Sequence, residues 1–228
     1  MRAIICDFNG VIVDDETPHF VTYQQALNEF GIELSRDDYY GAYHGMDERN
    51  CTIALMEKIR GRVDPALLRA ILERKAGLFR AYASVHKPRL FPGVVAFVKA
   101  ARQRYRLAIA SGGRREQIED ALRGTRIERD FPVIVTAEDT VLGKPEPTIY
   151  RIALQRLNET DPRPEPPISA GQVLVIEDSQ AGLASARAAG MKVLAVATTY
   201  PADRLTGAHL VLPDLRTATL DRLEALFQ

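Results

Sequence analysis

The chain has 228 residues, 46% hydrophobic and 26% charged, which excludes a disordered or collagen-like protein. Thirty acidic and thirty basic side chains cancel, which weighs against a nucleic-acid binder that works by neutralising phosphates. No apolar run approaches the ~20 residues of a membrane span, the opening Met1–Asp7 meets an acid before a signal-peptide core can form, and Cys6 and Cys51 show no metal spacing, so a reduced, cytoplasmic protein with no nucleic-acid or membrane partner is the expectation.

Taken in chain order, short aliphatic runs predict strands at 3–6, 107–110, 133–135, 173–176 and 193–196, with a short edge strand at 210–212. Helical patterns at 94–104, 116–123, 148–157 and 182–189 separate them. Strands without period-two alternation are buried on both faces, and their alternation with helices implies a doubly wound parallel α/β sheet. Residues 17–88 interrupt this rhythm and read as helices only. Thr17 suits an N-cap with Pro18 at the first helical position, and Gly31 a stop; Ser35 with Asp38 resembles a capping box. Asp64-Pro65 opens a further helix with Leu67, Leu68, Ile71 and Leu72 on its apolar side. The expectation is a core of residues 1–14 and 90–228 with an inserted all-helical cap at 15–89, joined by linkers near 13–16 and 87–92. The proline-rich stretch 161–167 reads as a surface loop.

In an open parallel sheet, ligands bind beyond the carboxyl ends of the strands. The segments there are Asp7-Phe8-Asn9-Gly10, Ser111-Gly112-Gly113, Gly143-Lys144-Pro145 and Glu177-Asp178-Ser179. Clustered carboxylates suit a hard cation such as Mg²⁺. A hydroxyl, a lysine and glycine amides suit a phosphate. Together they point to metal-assisted phosphoryl chemistry. Ser179 reads as a helix cap and Cys6 as a small core hydrophobe.

These four segments, in this order and after these strands, resemble the haloacid dehalogenase-like hydrolase superfamily, in particular its β-phosphoglucomutase-like phosphatases with a helical cap after the first strand. The resemblance implies that Asp7 is the nucleophile that becomes a phosphoaspartate and also a Mg²⁺ ligand. It implies that Asp178 is a second metal ligand, and Glu177 a ligand or an outer partner. The residue at position 9 offers the metal its backbone carbonyl, which Asn9 retains. Ser111 and the Gly112 amide would hold the phosphoryl group, and Lys144 would neutralise its charge. In the cap, His19 and Lys75 resemble a pair that couples closure to proton transfer, and Arg49, in 45–49, a cap arginine that meets the non-reacting end of the substrate.

The departure is Asn9, where the family's phosphatases and mutases carry an Asp that protonates the leaving oxygen and then activates water or a sugar hydroxyl. Losing such a group costs about 10²–10⁴ in rate. Three consequences are compatible with the sequence: a substrate with a good leaving group; a slow enzyme or a silent binder of a phosphometabolite; or a stand-in for Asp, introduced or prone to revert by deamidation because Gly10 follows. The leading expectation is a Mg²⁺-dependent phosphatase of a small phosphorylated metabolite, with a β-phosphoglucomutase-like isomerase and a silent binder as alternatives.

Overall fold

The computed structural model describes residues 1–43 and 46–228. Gly45, which opens the segment read around Arg49, lies outside them. Six parallel strands form the main sheet: β1 (Ala3–Cys6), β4 (Arg106–Ala110), β5 (Val133–Val135), β6 (Val173–Glu177), β7 (Lys192–Val196) and β8 (Leu210–Leu212), in the order β5-β4-β1-β6-β7-β8. Two short strands, β2 (Val13–Asp14) and β3 (Arg89–Leu90), make a separate antiparallel ribbon.

Both faces of the central strands are dry because their inner positions are aliphatic. Ile4, Cys6, Ile109 and Ile176 point to one face, under α5 (Val94–Ala101) and α6 (Arg115–Leu122). Ile5, Ala108, Val175 and Val193 point to the other, under α7 (Thr148–Glu159) and α8 (Gln180–Ala188). This is the predicted doubly wound α/β core. A short α9 (Leu220–Glu224) closes the first face through Leu223. The stretch 161–167 is an irregular loop, as expected.

The inserted helices have their own apolar centre. α1 (Glu16–Glu29), α3 (Glu48–Arg60) and α4 (Pro65–Val85) bring together Tyr23, Leu27, Leu55, Met56, Leu68 and Ile71. A single turn, α2 (Arg36–Asp38), is capped by the Ser35 hydroxyl, which accepts from the Asp38 N–H, and runs on into a π-helical turn at Tyr39–Tyr43. Gly31 ends α1 with φ +71°, the left-handed conformation that glycine takes without steric cost.

Three details differ from or add to expectation. Helix α1 starts at Glu16, so Thr17 lies inside its first turn, and the N-cap is Asp15, whose side chain makes no capping bond. The Asp15 carboxylate is engaged elsewhere, by Asn9 and His19. The two linkers are also not loose. Val13 pairs with Leu90 and Asp14 with Arg89, so the chain enters and leaves the cap through one paired ribbon. α5 ends at Ala101, three residues short of the expected end, with turns at 102–104.

Ile109 is fully buried in β4 between β1 and β5. Ile109→Ala is expected to destabilise the core by about 2–5 kcal/mol, read from the midpoint shift in urea denaturation followed by circular dichroism.

Candidate active site

Three adjacent strands deliver the chemistry to one sheet edge. Asp7 follows β1, Ser111 follows β4, and Glu177 ends β6 with Asp178 next. Lys144 enters from the loop between β5 and α7, and its ammonium is buried between two carboxylates. Its Nζ lies 2.8 Å from Asp7 Oδ1 and 2.6 Å from Glu177 Oε1.

Glu177 is fully engaged. Its Oε1 accepts from Lys144 and from the Tyr150 hydroxyl at 2.7 Å; its Oε2 accepts from the N–H groups of Asp178 and Ser179 and from the Ser179 hydroxyl. Burial would raise its pKa, but the Lys144 charge and these bonds hold it below the ordinary range. Asp7 behaves in the opposite way. Burial pushes its carboxyl up to about 7, with Glu177 adding to the rise and Lys144 opposing it. Burial works against the Lys144 charge, yet Asp7 and Glu177 prevail and raise its pKa.

The set has the character of a cation site. One oxygen each of Asp7, Glu177 and Asp178 lie within 4.8 Å of one another. Three carboxylates converge here and one ammonium, Lys144, pairs with two of them, so the cluster is short of positive charge. Asp7 Oδ1 is buried without a hydrogen-bond partner, and its close contact is the ion pair with Lys144. An oxygen-only donor set of this kind fits Mg²⁺. Asp178 Oδ2 accepts from the Thr199 hydroxyl and crowds Gly10, where any Cβ would collide with that carboxylate. Gly10 also sits at φ +75°, so this position takes glycine for both reasons.

Asn9 is held on three sides. Its Nδ2 donates to Asp15 Oδ1 at 2.8 Å and lies 3.3 Å from His19 Nε2, while its Oδ1 accepts from the Ser111 hydroxyl at 3.4 Å. The Asp15 carboxylate fixes which way the amide faces. Deamidation needs the Gly10 nitrogen to attack the Asn9 side chain. That nitrogen donates to Val13 O at 2.9 Å, in a tight turn that works against the attack. Ser111, also buried, accepts from the Gly113 N–H at 3.0 Å just before α6.

Above this edge the cap is seated on the core. Asp47, the N-cap of α3, lies against Gly112 and Gly143, and a Cβ on Gly143 would collide with its carboxylate. The space left between the two layers is about 70 Å³, lined on the cap side by Glu16, His19, Tyr39, Met46, Glu48 and Lys75. A larger cavity of about 800 Å³ runs along the linkers beside Phe79 and Tyr82 and contains none of the clustered carboxylates.

The cap residues singled out from sequence divide. His19 and Lys75 meet at the cleft. Lys75 is 1% exposed, its Nζ is 2.8 Å from His19 Nδ1 and pairs with Glu48, and the His19 ring packs on Phe79 at 4.0 Å. Arg49 is exposed and does not line the cleft; its neighbour Glu48 does. Burial opposes the Glu48 charge, but Lys75 and His19 hold its carboxyl well below the usual range. Glu48 and Asp15 escaped the sequence reading. The available signal for the first was Asp47 followed by Asn50, whose backbone N–H donates to Asp47 Oδ1 at 2.9 Å. That cap fixes the phase of α3 and makes Glu48 its first residue.

Comparison with known proteins follows the same lines. The family model described as haloacid dehalogenase-like hydrolase matches residues 4–196. A phosphorylated carbohydrates phosphatase of Thermotoga maritima is 31% identical over 197 residues, 84% of this chain and 83% of that protein. A β-phosphoglucomutase of Bacillus subtilis is 26% identical over 98% of this chain and 94% of its own length. The crystal structure of CbbY from Rhodobacter sphaeroides in complex with phosphate matches with a TM-score of 0.81 at 23% identity, over 98% of this chain and 99% of that one, which shows a shared fold.

The packing of Glu177 makes a prediction of opposite signs. Gly182 lies in α8 where a Cβ would overlap the Glu177 carboxylate, whereas Gly77 in α4 has open space around it. Gly77→Ala is expected to stabilise the protein by about 0.5–1 kcal/mol. Gly182→Ala should instead destabilise it by about 1–3 kcal/mol. Parallel urea titrations of the two variants check both signs.

Proposed function

The chain belongs to the haloacid dehalogenase-like hydrolases, and we propose that it is a Mg²⁺-dependent phosphatase of a small phosphorylated metabolite, working through a phosphoaspartate on Asp7. The family, and relatives named as phosphatases, support phosphoric monoester hydrolysis. The observation that carries the reading is Asp7 itself: a buried carboxylate beside Asp178, with Lys144 Nζ 2.8 Å away and an oxygen that makes no hydrogen bond.

Asp7 and Asp178, with the backbone carbonyl of Asn9, would hold the ion, and Glu177 stands outside them because donors already fill its oxygens. When bound, Mg²⁺ supplies the positive charge that lets these carboxylates and a phosphoryl group share one site. An Asp7 oxygen attacks phosphorus, the ester P–O bond breaks, and its electron pair leaves on the substrate oxygen. Lys144, the Ser111 hydroxyl and the Gly112 amide hold the phosphoryl oxygens through this transfer. Water then attacks the acyl phosphate, releasing phosphate and restoring Asp7.

Both steps need a proton moved at the place Asn9 occupies, and an amide does not exchange one in this way. The attack by Asp7 survives better than the hydrolysis, since hydrolysis needs a base. A substrate with a good leaving group, such as an acyl or aryl phosphate, is favoured accordingly. A mutase is the second reading: His19 and Lys75 meet at the cleft, but a mutase must move sugar protons in every cycle, which Asn9 opposes. A silent binder of a phosphometabolite is the third.

Hydrolysis of p-nitrophenyl phosphate is expected to be slow, to require Mg²⁺ and to vanish in Asp7→Ala. No hydrolysis with or without Mg²⁺ would favour the binder. Phosphorus NMR with a hexose 1-phosphate separates free phosphate from an isomerised sugar phosphate. After incubation with acetyl phosphate, intact mass spectrometry should show the addition of one phosphoryl group. Asn9→Asp places a second carboxyl against Asp15, an arrangement in which two carboxyls hold one proton between them. That variant should gain about 10²-fold or more in kcat.

A further inference from the structure

Resting on the Mg²⁺-dependent reading, we propose that Tyr200 is a positioning residue. Its hydroxyl reaches across to the cap while the neighbouring Thr199 holds the Asp178 carboxylate, so that seating of the cap and binding of the ion strengthen each other.

The cap rests on the core at two places that flank the strands of the site. On one side Asp47 lies against Gly112, after β4, and Gly143, after β5. On the other side is the turn after β7, and β1 and β6 lie between the two in the sheet. At this second place the Tyr200 hydroxyl donates to the carbonyl of Tyr40 at 2.7 Å. Tyr40 belongs to the π-helical turn of the cap. The two rings meet edge to face with centroids 6.5 Å apart. Arg36 of the cap lies over the Tyr40 ring and Arg204 of the core over the Tyr200 ring, each 5.4 Å from the centroid. Tyr200 is 8% exposed with the cap in this position. Lifting the cap would break its bond to Tyr40 and wet its ring.

The same turn grips the metal side. The Thr199 hydroxyl donates to Asp178 Oδ2, and the Thr198 hydroxyl donates to the Gly10 carbonyl. Asp178 would ligate the ion, and Asn9, just before Gly10, would offer its own carbonyl. A hydrogen bond from outside the metal shell fixes the angle at which a ligating carboxylate faces its metal. The turn at 197–200 is irregular, and three successive hydroxyls anchor it, on Gly10, on Asp178 and on the cap. Releasing the last of these loosens the peptide that carries Thr199, and with it the orientation of Asp178. By reciprocity, an ion that fixes Asp178 holds Tyr200 in place to receive the cap. The acceptor on the cap is a backbone carbonyl, so Tyr200 is the position at which substitution removes this bond.

Tyr200→Phe removes the hydroxyl and keeps the ring, Thr199→Val removes the bond to Asp178, and Thr199→Ser retains it. Mg²⁺ is titrated calorimetrically into the whole chain and into each variant, with circular dichroism confirming the fold. Affinity for Mg²⁺ is expected to fall about 3–10-fold in Tyr200→Phe and about 10-fold or more in Thr199→Val, and to be kept in Thr199→Ser. The double variant of Thr199→Val with Tyr200→Phe should bind within about 2-fold of Thr199→Val alone, because the second loss has no route left to the ion. Hydrogen exchange across residues 36–43 should slow when Mg²⁺ is added to the wild type, but not in Tyr200→Phe or Thr199→Val. Unchanged affinity in Tyr200→Phe, additive losses in the double variant, tighter binding by Thr199→Val, or exchange indifferent to Mg²⁺ in the wild type overturns this inference and leaves the phosphatase reading intact. Absence of Mg²⁺ binding by the wild type overturns the metal-dependent reading and this inference with it.

Discussion

The site depends on an ammonium buried between two carboxylates. Lys144 contacts Asp7 on one side and Glu177 on the other, and among the described residues it is the one cation that pairs with them. Taking such charges out of water costs several kcal/mol each, and their mutual attraction offsets this only when the remaining lone pairs are also satisfied. Glu177 meets that condition through Tyr150, Ser179 and two backbone amides. Asp7 does not, and it is the carboxylate assigned the chemistry. The same lysine thus anchors one fully bonded acid, Glu177, and leaves the other, Asp7, with an oxygen that has no hydrogen-bond partner. The architecture of α8 follows from this, because its first turn is pared to glycine at Gly182 where the Glu177 carboxylate rests.

The core was legible in the sequence because each strand is a short aliphatic run that ends in a polar residue. In a parallel sheet those ends share one edge, so Asp7, Ser111, Lys144 and Asp178 could be assembled from order alone. The cap was legible as helices but not as a surface. Which helical residue faces the core depends on phase, and successive residues on a helix differ by about 100°. A slip of one position exchanged Glu48 for Arg49 and with it the sign of the charge over the cleft. Asp15 was hidden for another reason. It stands where an N-cap belongs, and only the tertiary structure shows its carboxylate turned to Asn9 instead. The ribbon of β2 and β3 was missed because two residues per strand are too few to carry a pattern.

Asn9 is embedded rather than loosely tolerated. Its amide hydrogens suit Asp15 and its carbonyl suits Ser111, so the surroundings are matched to a neutral donor at this place. Asp15 and Asn9 together form a pair in which one partner supplies the negative charge and the other the hydrogens. A carboxylate stands six residues further along the chain, one hydrogen bond behind the Asn9 amide.

The cap comes to rest on a bare stretch of backbone, with Asp47 meeting Gly143 where no side chain intervenes. This makes position 143 a doorstop waiting to be fitted. Side chains of graded size there would press on the Asp47 carboxylate and wedge the two layers apart by graded amounts, from a position next to Lys144. The resting gap of the enzyme could in this way be dialled by volume alone, and admission of bulky molecules separated from the chemistry performed on them.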